Sequence, residues 1–144
     1  MATESKAWQG MKWIRHSTRL ALYAAQGFRC VYCAKDAGKC RVPGRFGLDH
    51  KVPRAAGGGN AVENLAMACK GCNGRKGDRT VEAYLAALDA EGVDTAPIRA
   101  RLAAAEAAEL DRSLGRTLAR AWDRGASLAT LAKRVRTAPA QAAA

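Results

Sequence analysis

Two Cys-x-x-Cys pairs, Cys30-Val31-Tyr32-Cys33 and Cys69-Lys70-Gly71-Cys72, stand 35 residues apart in a chain of 144. No other feature of the sequence constrains the fold as strongly. Together the pairs supply four thiolates for one tetrahedral zinc, which requires the intervening residues to fold as a unit between two knuckles. A single pair would also suit a redox dithiol, but that reading needs a βαβ setting, and Val31-Tyr32 followed by a glycine-rich loop does not supply one. Four thiolates leave no open coordination position, so such a zinc holds the fold and does no chemistry. Cys40 is left over and reads as a bystander thiol. A metal staple suits the composition. Hydrophobic residues make up 49% of the chain, but much of that is alanine and aromatics are only 6%, so the core is expected to be small.

Charge narrows the function. The chain carries +11, and residues 1–80 hold 15 basic and 5 acidic side chains against 9 and 8 in residues 81–144. A basic first part of this kind points to a polyanion, with nucleic acid as the default partner. No run approaches the ~18 apolar residues of a membrane span. The segment Met1–Trp13 lacks the apolar stretch of a signal peptide, so a reducing cytoplasmic setting is expected.

Periodicity divides the chain into a basic amino-terminal arm (1–16), a metal-stapled domain (17–80) and a helical extension (81–144). A helix is expected over about Ser17–Ala25, with Trp8, Trp13 and Ile14 packing beneath it. Phe46–His50 and Leu65–Ala68 read as short strands, separated by a loop containing Pro53 and Gly57-Gly58-Gly59. A short helix is expected near Asn73–Lys76. Thr80 can cap a helix to about Ala90. One long amphipathic helix is expected from about Pro97 to Arg124, with Leu102, Leu110, Leu114, Leu118 and Trp122 along it. A last helix is expected over Ser127–Arg136, followed by a frayed Ala138–Ala144.

Of the two histidines, His16 sits in a basic stretch and reads as exposed or capping. His50 follows Asp49 at the end of an apolar stretch and precedes the glycine loop. Phosphodiester hydrolysis needs an activated water and a cation at the developing charge, and a histidine is a competent base near neutral pH. Neighbours on a strand point to opposite faces, so Asp49 can hold a metal while His50 addresses a water. Asp49 and Glu63 are the only carboxylates between Phe46 and Lys76, which favours one metal over two. Arg45, Lys51, Arg54, Lys70, Arg75 and Lys76 surround the segment and are candidates for gripping phosphates. A zinc deaminase would need His-x-Glu and Pro-Cys-x-x-Cys, and His50 and Cys69 stand in neither context.

The run Leu48-Asp49-His50-Lys51-Val52-Pro53, then Gly57-Gly58-Gly59, Glu63-Asn64-Leu65 and Cys69-Lys70-Gly71-Cys72-Asn73-Gly74-Arg75-Lys76-Gly77, resembles the HNH endonucleases. Within that family it is similar to the subtype with two zinc knuckles around a ββα-metal core, and the likeness covers about residues 17–80. The resemblance implies an α+β fold, a zinc-stapled ββα-metal core with flanking helices and a helical extension. It implies that His50 is the general base, that Asp49 and Asn73 ligate the catalytic cation, and that Asn64 pins the loop and helps orient the histidine. Asn73 replaces the family's more usual histidine. An amide oxygen is a hard ligand that suits magnesium or manganese.

The implied function is a metal-dependent DNA endonuclease, nicking or cutting both strands, of a kind found in phage and mobile-element settings and thus in bacterial or phage-infected cytoplasm. The rival reading is a zinc-stabilised DNA-binding or packaging-accessory module without turnover. The resemblance is silent on residues 81–144. Their near-neutral sum favours packing on the core or self-association into a homodimer through the carboxyl-terminal helix, with most phosphate contacts coming from residues 1–80.

Overall fold

Two five-residue strands form the centre of the molecule. β1 (Phe46–His50) runs antiparallel to β2 (Leu65–Cys69), with Asp49 opposite Ala66 and His50 opposite Leu65. The computed structural model describes residues 14–42 and 44–137. Residues 1–13 of the expected arm, the packing of Trp8 and Trp13, and the fraying of Ala138–Ala144 lie outside the described residues.

Side chains alternate along a strand, so this sheet has two distinct faces. Leu48 and Met67 meet Leu20, Tyr23 and Phe28 from α1 (His16–Ala25) and the turn after it. Leu118 of α5 (Arg112–Asp123) and Leu131 of α6 (Leu128–Arg136) complete that core. On the other face Ala66 and Ala68 present only methyl groups. The Cys30–Tyr32 knuckle, Tyr84 and Leu85 of α3 (Val81–Ala90), and Ile98 and Leu102 of α4 (Ala96–Ala107) pack there. The helices after residue 80 thus help build both cores. α2 (Lys70–Lys76) follows β2 directly, as the helix of the ββα unit.

The expected long helix is two helices. Ala108 leaves helical geometry with ψ 135°, and the Asp111 side chain accepts the Leu114 N–H to start α5 afresh. An aspartate N-cap satisfies an orphan donor at this point, a local signal that apolar periodicity alone does not show. α5 then lies against α1 at Gly115, where a Cβ would come within 2.2 Å of Ser17 O and 2.9 Å of the Ala21 Cβ. The apolar face expected to be available for self-association is therefore covered largely by the chain itself, although Trp122 stays 41% exposed, its ring 5.0 Å from that of His16.

Two arginines tie the extension to the knuckle region. Arg101 donates to Val31 O at 2.8 Å and Tyr32 O at 2.7 Å. Arg136 lies 2.7 Å from Asp36 Oδ1 and donates to Gly27 O at 2.7 Å.

Candidate metal centre and active site

The two knuckles converge. The Sγ atoms of Cys30, Cys33, Cys69 and Cys72 all lie within 4.8 Å of one another, with Cys33 and Cys69 at 3.7 Å. A tetrahedron with Zn–S of about 2.3 Å has sulfur–sulfur edges of about 3.8 Å, so the cluster fits a four-thiolate zinc. Backbone N–H groups of Tyr32 and Cys33 point at Cys30 Sγ, and that of Cys72 at Cys69 Sγ, each at 3.4 Å. The Arg75 guanidinium donates to Cys72 Sγ at 3.2 Å. The Cys69 thiol is held down to about 7: burial pushes it up, but the Cys72 N–H and hydrogen bonds from neighbouring cysteines outweigh that. Cys69 thus favours the thiolate, the form that binds metal, whereas burial pushes the Cys30 and Cys72 thiols up.

The end of β1 sits between this centre and α2. Asp49 is 3% exposed. Its Oδ2 accepts from the Tyr32 hydroxyl at 2.5 Å, and its Oδ1 lies 3.1 Å from Lys76 Nζ. The same ammonium donates to His50 O at 2.8 Å. Burial, and then the adjacent carboxylate, push the Tyr32 phenol far above its usual range, so it stays a donor. Tyr32 also stacks edge-on against Tyr84, with ring centroids 5.4 Å apart.

His50 is half-buried, and its Nε2 lies 2.8 Å from Asn60 Oδ1. An amide oxygen can only accept, so this contact assigns the ring proton to Nε2 and leaves the lone pair on Nδ1. Asn64 bonds elsewhere. Its Oδ1 accepts the Val52 N–H at 2.8 Å, and its Nδ2 donates to Val52 O at 3.0 Å and Gly59 O at 2.8 Å. Both ends of the 52–59 loop are thereby drawn together, immediately before Asn60. The loop closes so tightly that a Cβ on Gly58 would stand 1.6 Å from Val52 O, which explains a glycine there.

The expected phosphate-gripping residues divide. Arg45, Arg54 and Lys70 are exposed. Lys51 is ion-paired with Glu106 of α4 at 3.5 Å, and Arg75 is engaged with Cys72. Lys76 requires correction: it is 1% exposed and spent on Asp49 and His50, so it is a buried internal cation and not a phosphate contact. Tyr32 and Asn60 join the site without a sequence signal for it: Tyr32 reads only as a knuckle residue, and Asn60 only as the residue that ends the glycine run.

Asn73 is half-buried on α2, one turn before Lys76 and on the same side of the helix. The carboxylate of Asp49 and the amide of Asn73 offer hard oxygens, a donor chemistry that fits magnesium or manganese. Both Asp49 oxygens have internal partners, Tyr32 on Oδ2 and Lys76 on Oδ1.

Residues 30–79 match the family described as HNH endonuclease. This stretch contains both knuckles, both strands and α2, and the chain has an α+β fold consistent with that of the matched family, with a four-cysteine site suited to zinc. No curated protein matches the chain. Among the described residues, no helix is long and apolar enough to cross a membrane.

Proposed function

We propose that this protein is a metal-dependent endonuclease that hydrolyses DNA phosphodiesters, with His50 as general base. The observation that carries this reading is the His50–Asn60 contact. It fixes one ring tautomer at the open end of β1 and leaves Nδ1 as the acceptor, the arrangement a base needs. A module that only bound DNA would have no use for a histidine so oriented.

In this mechanism His50 Nδ1 takes the proton of the attacking water. Asn60 holds the ring, and Asn64 holds the loop that presents Asn60. Tyr32 fixes the Asp49 carboxylate from one side. Asp49 and Asn73 would hold magnesium or manganese, which when bound stabilises the charge that develops on the phosphate. The exposed Arg45, Arg54 and Lys70 grip neighbouring phosphates.

A plasmid-nicking assay with and without added manganese tests the activity. His50→Ala should lower the rate by ~10²–10⁴-fold with little change in DNA affinity. Equal loss of binding and cleavage, with the fold intact, would make His50 a DNA contact and not the base. Asn73→Asp should retain part of the activity, since it keeps an oxygen ligand, whereas Asn73→Ala should not.

A further inference from the structure

The near-neutral sum of residues 81–144 conceals a separation of charge. Residues 81–111 hold two arginines against seven acids, whereas residues 112–136 hold seven basic side chains against one acid, Asp123. On α5, Arg112, Arg116, Arg120 and Arg124 recur every fourth residue, the last at the helix's C-cap. At about 100° per residue they cover roughly 120° of the helix circumference. That arc is centred opposite Gly115, Leu118 and Ala121, the residues α5 buries. All four arginines are exposed. Among the described residues none of them forms an ion pair; Arg120 donates to Thr117 Oγ1 at 3.3 Å.

Folding does not account for this row. Like charges four residues apart weaken a helix, and Arg112 stands in the first turn, where the helix dipole disfavours a cation. The surface beside the row is polar, with Ser113 and Thr117 exposed. A helix that lies on a membrane needs an exposed apolar face, and α5 has most of its apolar face against α1. The row is about 18 Å long, a length over which one strand of a duplex carries about five phosphates measured along the duplex axis. The planar guanidinium fork suits phosphate oxygens.

We infer that the exposed face of α5 is a second nucleic-acid-binding surface, laid along the phosphate backbone of duplex DNA outside the HNH segment. This rests on the nuclease reading for its choice of duplex DNA. It adds phosphate contacts to those expected from residues 1–80.

The test is equilibrium binding of the full chain to a short DNA duplex across a salt series, without added divalent cation. The variant Arg116→Gln/Arg120→Gln/Arg124→Gln is compared with a charge-matched control, Lys35→Gln/Lys39→Gln/Arg99→Gln. Each phosphate contact contributes ~0.9 to the salt slope. The α5 variant should therefore lose roughly 2–3 from the slope and at least tenfold in affinity, and the control less than 1. Single substitutions at Arg116 and Arg120 should each remove about 0.9, which keeps the test open if the triple variant misfolds. Equal losses in variant and control, or an unchanged slope in the variant, would overturn the α5 surface alone. A wild-type chain that binds no duplex would overturn both this surface and the DNA-cleavage reading. Wild-type binding to vesicles containing phosphatidylserine but not to duplex would overturn it in favour of a lipid surface.

Discussion

Lys76 Nζ lies 3.1 Å from Asp49 Oδ1, and both side chains are almost wholly withdrawn from water. The pair joins the end of β1 to the end of α2, and the same ammonium holds His50 O. Removing one partner of a buried pair leaves the other uncompensated, at a cost of about 3–5 kcal/mol. Lys76→Met should therefore melt well below the wild type in metal-free buffer. It also frees an oxygen of Asp49, so added manganese should raise the melting temperature of the variant more than that of the wild type. An equal response in both proteins would mean that Asp49 does not meet the cation.

Asn60 holds the imidazole of His50, and misplacing a reacting group by about 1 Å costs on the order of 10²-fold in rate. Asn60→Ala should slow cleavage roughly ten- to a hundred-fold while leaving the melting temperature near that of the wild type. Asn64→Ala should affect both, because three hydrogen bonds to the 52–59 loop depend on it. Thermal melts and single-turnover rates on the same preparations separate the two.

The four-cysteine centre should hold about one zinc per chain, measurable by elemental analysis. Stripping it under denaturing chelation should prevent refolding until zinc is restored, since binding a structural zinc is coupled to folding. Cys33→Ser should lower zinc content and melting temperature together. Cys40→Ser should change neither, because Cys40 stands apart from the cluster.

Asp36 links the knuckle loop to α6. The hydrogen bond from Arg136 holds its carboxyl below the usual value, burial opposes that shift, and the Gly38 N–H adds to it. A depressed folded-state value contributes stability that is present above the unfolded value of about 3.9. That stability is lost as pH falls through the folded value. Asp36→Asn should therefore destabilise the protein at pH 7 by about 1–2 kcal/mol, and the difference should begin to shrink as pH falls below about 3.9 and vanish only below the depressed folded-state value. A difference that persists into acid would assign the effect to packing.

The four-cysteine cluster, the two strands and the loop between them are legible in the order of the residues. Metal-ligand spacing, short apolar runs and a glycine cluster are local properties, and local chemistry is written in neighbouring letters. The Thr80 cap of α3 is legible for the same reason. Apolar periodicity runs through the break between α4 and α5 and hides it, while Asp111 restarts the helix. How side chains meet across elements is set by the assembled fold. Tyr32, Asp49 and Lys76 are 17 and 27 residues apart along the chain, and they converge because strand register turns Asp49 inward toward the knuckle and α2. The pairing of Asn60 with His50, and the outward display of the α5 arginines opposite a face pressed against α1, were settled in the same way. Such contacts depend on which face each element buries, and burial is a property of the assembled fold, which no spacing in the chain records.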